Sequence, residues 1–152
     1  MHALTLVSLT IVAQCLAGPA DLSGKSLHLF RQRLHPDNLE SVKLNALDQA
    51  AHQYGPAAAP LLDDIMKMLA SENPKIRVKA AYTLGRIGPR AQASTDALTK
   101  VLASDRNGSV RATAAYALGL IQDRRKLVAN SLIKTMETDA NASTRAAAGI
   151  RQ

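Results

Sequence analysis

Apolar residues recur along the chain at the spacing of one helix face. Residues 76–88 read IRVKAAYTLGRIG, in which Ile76, Ala80, Leu84 and Ile87 follow i, i+4, i+8 and i+11 spacing. This spacing places four apolar side chains on one side of an α-helix. The strand-like alternation of apolar and polar residues is missing from the sequence after residue 20. The pattern therefore predicts an all-α fold.

The same pattern occurs twice in the sequence. Residues 110–122 read VRATAAYALGLIQ, which is identical to the first copy at seven of thirteen positions. A second amphipathic helix is expected after the first copy, with Leu98 and Leu102 on its apolar face. A fixed period of about 34 residues is typical of solenoids built from helix pairs. We therefore expect a right-handed α-solenoid of about three stacked antiparallel helix pairs with partial ends.

A glycine also recurs inside the repeated helix. Gly85 and Gly119 occupy the same position of the two copies, and glycine within a helix costs about 1 kcal/mol relative to alanine. Its return at the same position is explained best by a neighbouring helix that approaches too closely for a side chain. We expect a packing role for both glycines.

Two polar columns keep the same period. An Asn precedes each repeated helix, where its side-chain oxygen can accept a hydrogen bond from a free backbone N–H. An Arg follows four residues later, and we expect it to reach loop carbonyls or the neighbouring repeat; ligand binding is the alternative. The columns are Asn73, Asn107 and Asn141, and Arg77, Arg111 and Arg145.

Residues 1–20 differ from the repeats. Ala3–Ala17 is uncharged and has fifteen residues, fewer than the roughly 20 that a membrane-spanning helix needs. Its length and the small residues after it are typical of a secretory signal peptide, although Met1-His2 supplies no basic residue. A buried first helix is the alternative. We expect an exported protein, periplasmic or secreted, with no membrane span after cleavage and a repeat domain over residues 21–152.

The ends of the repeat region are irregular. Leu27, Phe30 and Leu34 share one helix face, and residues 42–50 continue the register of the later copies. The last copy stops at Gln152, where its apolar face should continue. Terminal repeats of a solenoid normally carry a polar outer face, so we expect the sequence to be a fragment of a longer protein, truncated at its C-terminus.

Composition and charge refine this expectation. Aromatic residues make up 3% of the chain, so the core has to consist of smaller aliphatic side chains. The net charge is +7, and all charged residues lie after residue 20. A basic protein favours acidic partners, nucleic acid or anionic membranes. The alternative is that the charge keeps the domain from self-associating.

The two quoted motifs resemble the HEAT-like repeat family, in the subtype first associated with phycobilisome lyases. That subtype reads roughly Asp-x-x-Val-Arg-x-x-Ala-Ala-x-Ala-Leu-Gly-x-Ile-Gly. The resemblance is strongest over residues 73–122, weaker over 38–72 and 123–152, and absent from 1–23. It implies an α-solenoid that binds other proteins, and it does not imply lyase activity. Because Asn stands where the family has Asp, the resemblance implies an Asp–Arg ladder that is uncharged on one side.

No constellation for catalysis or metal binding is evident. His2, His28, His35 and His52 form neither an H-E-x-x-H motif nor a pair at i, i+4. No combination of Ser, His and acid suggests a catalytic triad. We expect no enzyme activity, no metal and no cofactor.

A basic stripe that contains tyrosines is the strongest candidate for a binding surface. Its members fall on the side of the helix that is opposite Ala80 and Leu84. Tyr and Arg are enriched at protein interfaces. The alternative is that the rings cover neighbouring helices and the cations are solvated. The stripe consists of Lys75, Lys79, Tyr82, Arg86 and Arg90, with Tyr116 and Arg124 in the next repeat.

The sequence therefore predicts a non-catalytic scaffold module that binds another protein, with no oligomeric state indicated. One alternative is an accessory subunit of lyase or chaperone type that holds a client protein. A second is the binding of a polyanion or nucleic acid through the stripe, against which the export signal argues.

Overall fold

The computed structural model describes Leu22 and residues 24–122 and 126–149. Every regular element in these residues is a helix. The α-helices are α1 (Gly24–Arg33), α2 (Glu40–Gln49), α3 (Leu62–Met68), α4 (Pro74–Ile87), α5 (Thr95–Ser104), α6 (Gly108–Ile121), α7 (Lys126–Thr138) and α8 (Ala142–Gly149). A π-helical turn (Ala50–Tyr54) and two 3₁₀-helices (Gly55–Leu61 and Gly88–Ser94) complete the set.

The helices form two rows. Helices α2, α4, α6 and α8 pack against one another in chain order, and we call them the motif row because α4 and α6 carry the repeated motif. Helices α1, α3, α5 and α7 form the opposite row. Short connections join α3 to α4, α5 to α6, and α7 to α8, so each pair is antiparallel. This arrangement is an all-α solenoid, as the sequence predicts.

The predicted apolar faces form the core between the rows. Ile76, Ala80, Leu84 and Ile87 of α4 are all buried. The corresponding residues of α6 are buried too, and so are Leu98 and Leu102 of α5. At the N-terminal end Phe30 and Leu34 join the same core, while Leu27 packs at its edge. Burial of these side chains provides the main stabilising free energy, at about 1.5–3 kcal/mol for each large one.

Local residue chemistry places the helix starts. The side chain of Asn73 accepts a hydrogen bond of 2.8 Å from the backbone N–H of Lys75, and Pro74 occupies the first helical position. Asn107 and Asn141 accept equivalent bonds of 2.9 Å at the starts of α6 and α8. The predicted N-caps are confirmed in all three repeats.

The repeated helices end through left-handed backbone. Gly88 has a φ of 69°, a region that glycine enters without steric cost. Pro89 follows, and α4 stops at Ile87, so Arg90 of the predicted stripe lies beyond the helix. In the next repeat the same place is taken by Gln122, with a φ of 57°.

The two helical glycines differ in their surroundings. A Cβ atom on Gly85 would lie 2.9 Å from the Cα atom of Ala117 in α6, a distance that real side chains do not tolerate. The packing role predicted for Gly85 is therefore confirmed. On Gly119 a Cβ would meet no described atom within 4 Å, and the packing role stays a prediction there. In the repeat register its neighbour would be Arg151, which lies outside the described residues.

Several expectations fall on residues that the structure does not describe. The proposed signal segment (residues 1–20), Arg124 of the stripe and the last residues of the chain lie outside them. Within the part of the chain that is described, no helix combines the length and the apolar character needed to cross a bilayer.

Candidate functional site: the outer face of the motif row

The outer face of the motif row carries the predicted stripe. On α4 the buried positions face the opposite row and α6, which leaves Lys75, Val78 and Tyr82 directed outward. We call this surface the motif face and define it by these three residues and the exposed Arg86 of α4, together with Leu44 of α2 and Tyr116 of α6. Because α2, α4 and α6 lie side by side, the face extends across three repeats.

Part of the stripe is used to bind the preceding repeat. Lys79 forms an ion pair with Asp48 of α2. Arg86 is exposed, and its Nε atom lies 3.5 Å from the carbonyl oxygen of Ala51. The charge of Lys79 is therefore compensated, since the neighbouring helix supplies a carboxylate.

Arg90 also reaches back to the preceding repeat. Its Nη1 atom lies 3.5 Å from the carbonyl oxygen of Pro56. Among the residues that the structure describes, no carboxylate lies within 4.0 Å of the charged groups of Lys75, Arg86 or Arg90. Within that part of the chain, the charge of these three cations is thus uncompensated at short range.

The two tyrosines have different environments. The ring of Tyr82 lies 5.7 Å from the ring of His52, at a tilt of 34°, and its side chain is half-buried. Tyr116, at the same place in the next repeat, is 38% exposed. The first ring partly covers a neighbouring helix, while the second presents an amphipathic surface to solvent.

The arginine column forms a ladder between repeats. The guanidinium of Arg77 donates to both carboxylate oxygens of Asp105, at 2.7 and 2.9 Å. Arg111 donates to both oxygens of Asp139, at 2.7 and 2.8 Å. Each bond pair links one repeat to the loop of the next and has the two-pronged geometry that suits a guanidinium and a carboxylate.

The same arginines also bind loop carbonyls. Arg77 donates to the carbonyl oxygen of Ser71 at 2.9 Å, Arg111 to that of Asp105 at 2.8 Å, and Arg145 to that of Asp139 at 2.6 Å. The expected structural role of the column is confirmed.

The expectation that the ladder is uncharged on one side is wrong. The acidic partners are Asp105 and Asp139. Each follows its arginine by 28 residues and stands two residues before the Asn that caps the next repeated helix. The sequence signal for these acidic partners was the Asp-x-Asn pattern, which occurs at 105–107 and again at 139–141. It is interrupted in the first repeat, where Ser71 takes the place of the Asp and accepts the Asn73 N–H at 3.3 Å.

The ladder shifts the pKa of its carboxyl groups. Burial opposes the ionisation of Asp105, but the hydrogen bonds from Arg77 and from the backbone N–H of Asn107 outweigh it, and the pKa lies below the usual range. The hydrogen bond from Arg111 is the largest influence on Asp139, and it lowers the pKa of this group to about 2. On the motif face, the hydrogen bond from Lys79 likewise lowers the pKa of Asp48.

A cleft opens on the motif face between α2, α4 and α6. We call it the motif-row cleft; its volume is about 510 Å³, and most of its lining is apolar. Leu44 and Val78 supply the apolar surface, and Lys75, Lys79, Asn107 and Ser109 lie around it together with Pro74. A second cleft, at the loops between the repeats, is lined by Arg77 and Asp105 and so belongs to the ladder.

These features together place the chain in a family. A family model of HEAT repeats matches residues 27–119 and 62–150. The chain belongs to the HEAT-repeat family. No curated protein and no solved structure matches it significantly. The two matched ranges overlap over residues 62–119, which comprise α3 to α5 and most of α6.

Proposed function

We propose that this HEAT-repeat protein is a non-catalytic scaffold that binds another protein through its motif face. HEAT repeats generally form protein-binding scaffolds. The observation that carries the proposal is the composition of the face itself. Apolar and aromatic side chains at Leu44, Val78 and Tyr116 lie beside the cations Lys75 and Arg86, which no described carboxylate compensates.

The surroundings of the face suit this role. A surface that binds a protein has to keep its shape while it is desolvated, because ordering it on binding would reduce the affinity. The Arg–Asp ladder joins successive repeats, and the pair of Lys79 and Asp48 joins α4 to α2. These links support a preorganised surface whose affinity accumulates over several repeats.

We further propose that the apolar segment over residues 1–20 directs export. Its uncharged stretch of fifteen residues, followed by small residues, supports this proposal. Export would place the motif face in the periplasm or outside the cell, where its partner is a protein rather than nucleic acid.

The test of the scaffold function uses a partner captured from nuclease-treated host extract with the full chain. The affinity of that purified partner is then measured for two double variants. Arg86→Ala with Tyr116→Ala removes exposed side chains of the motif row. Ile133→Ala with Lys134→Ala removes an equally exposed pair of one apolar and one basic side chain from the opposite row.

We expect the motif-row variant to bind at least about tenfold more weakly, a loss of about 1.4 kcal/mol that is typical of interface hot spots. The opposite-row variant should bind like the wild type, and both should keep their helical circular-dichroism signal. Equal affinities for wild type and motif-row variant, or a loss in the opposite-row variant alone, would contradict the proposal.

A further inference from the structure

The motif-row cleft has an apolar floor that crosses a repeat boundary. Leu44 of α2 and Val78 of α4 occupy the same position of consecutive repeats, and both remain half-exposed within the cleft. A volume of about 510 Å³ accommodates several side chains and lies in the usual range of ligand clefts. Such a floor is complementary to apolar side chains.

One lysine at the rim of the cleft is available to an anionic group. Lys75 lies at the rim and is exposed, and no described carboxylate lies within 4.0 Å of its ammonium group. The neighbouring Lys79 is compensated by Asp48. An anionic group above the floor would therefore find its counter-charge at Lys75.

Two helix starts lie beside the cleft. Helices α4 and α6 both begin there. A carboxylate stands at each start, because Glu40 accepts a hydrogen bond of 2.6 Å from the side chain of Asn73, and Asp105 accepts one of 2.9 Å from the backbone N–H of Asn107. These carboxylates offset the positive ends of the helix dipoles, so the charge available at the rim is that of Lys75.

We propose that the motif-row cleft binds an acidic amphipathic segment of the partner protein. Apolar side chains of the segment contact Leu44 and Val78, and a neighbouring Asp or Glu of the segment pairs with Lys75. This inference rests on the proposed scaffold function and names the chemistry of the partner.

The floor argues for a peptide rather than a nucleic acid as the occupant. A nucleic acid carries a phosphate on every nucleotide, and among the described residues that line the cleft it would find one lysine without a carboxylate partner. A peptide with alternating apolar and acidic residues satisfies floor and rim together, and burial of the apolar side chains adds about 25 cal/mol per Å².

The experiment selects 12-residue peptides from a random phage-displayed library on the full chain. The enriched peptides are synthesised with a fluorescent label, and their affinities are measured by fluorescence anisotropy. The test variants are Lys75→Glu and Val78→Ser, and the matched controls are Lys134→Glu and Ile133→Ser in the opposite row. An acidic residue in the first turn of α4 is favoured by the helix dipole, so Lys75→Glu does not threaten the fold.

We expect enriched peptides to combine Leu, Ile or Phe with Asp or Glu. Lys75→Glu and Val78→Ser should each weaken their binding about tenfold or more, while the controls change it less than about twofold. Exchange of the acidic residues of the peptide for Lys should restore binding to Lys75→Glu, because the opposite charges are then paired again. Such a rescue is not expected if the variant merely distorted the fold.

The other outcomes overturn the inference in distinguishable ways. Peptides that lose affinity with Arg86→Ala and Tyr116→Ala, but not with Lys75→Glu, would leave the scaffold function intact and remove the cleft as the site. Binding that no motif-row variant changes would contradict both proposals, and the absence of any enriched peptide would contradict the cleft proposal alone. Displacement of the peptides by a 20-nucleotide single-stranded DNA, with a steep dependence on salt, would assign the cleft to polyanions instead.

Discussion

At the residue scale, the best-defined interactions are the two arginine–aspartate pairs of the ladder. Asp105 and Asp139 are 8% and 10% exposed, and each accepts two bonds from one guanidinium. Exposed ion pairs are worth little because water screens them. Short, two-pronged pairs at partly buried positions are stronger, and they also fix the orientation of both groups. The ladder therefore helps to fix α4 against the loop before α6, and α6 against the loop before α8.

The lowered pKa of Asp139 predicts a dependence of stability on pH. The folded-state pKa of about 2 lies below the ordinary value of 3.8. The stabilisation by the charged carboxylate is thus complete above pH 3.8 and is lost as the pH falls from 3.8 towards 2. Asp139→Asn should lower the free energy of unfolding at pH 7 by about 2 kcal/mol, with a smaller difference from wild type at low pH. Urea titrations between pH 2 and pH 7 measure this.

The control for this prediction is Glu137→Gln, which neutralises an exposed carboxyl group of α7. We expect it to change the free energy of unfolding by less than about 0.5 kcal/mol. An Asp139→Asn variant whose deficit is the same at pH 2.5 as at pH 7 would show that Asp139 does not act through its charge.

At the scale of the elements, the repeated helices are held together by close contact. The missing side chain of Gly85 lets α4 approach the backbone of α6 at Ala117. The same motif in α6 leaves Gly119 open on the side of the described residues. Among the described residues, therefore, only Gly85 has a packed neighbour that excludes a side chain.

This difference predicts opposite effects of the same substitution. Gly85→Ala should destabilise the protein by about 1–3 kcal/mol, because the added Cβ atom would overlap with Ala117 in a packed core. Gly119→Ala meets no such obstacle among the described residues and should be neutral or stabilising by up to about 1 kcal/mol, which is the difference in helix propensity. Thermal unfolding followed by circular dichroism measures both. Equal destabilisation by the two substitutions would contradict the structural difference.

At the scale of the whole molecule, stability is distributed along the stack. Each helix pair contacts its sequence neighbours, so a central repeat has two interfaces and a terminal repeat has one. Helices α4 and α6 lie in the middle of the motif row, and both ladder arginines that bind an aspartate come from them. All residues of the motif face except Leu44 lie on the same two helices, so the most supported part of the solenoid carries most of the proposed function.

Amide hydrogen exchange should show this distribution. We expect the slowest exchange in the buried halves of α4 and α6, and exchange at least about tenfold faster in α1 and α8. Asp105→Asn, which breaks the link from α4 to the following loop, should accelerate exchange in α4 and α6 more than in α1. Uniform protection across all helices would indicate that the solenoid unfolds as a single unit.

Much of this protein was determined by local sequence patterns. Some features depend only on residues a few positions apart, so they can be inferred without knowledge of the fold. They are the apolar spacing in α4 and α6, the N-cap at Asn107 and the end of α4 at Gly88. The repeat period then predicted the stacking, because an amphipathic helix pair buries its face against a copy of itself.

The tertiary structure alone decided which side chains meet across repeats. Asp48 compensates Lys79 over a separation of 31 residues, and Asp105 meets Arg77 over 28 residues. Both separations are shorter than the repeat period, since each contact joins different positions of neighbouring repeats. The motif-row cleft belongs to the same class, because its floor and rim come from three helices. A period specifies that repeats stack, whereas the offset and rotation between them determine the charges and the shape of the surface.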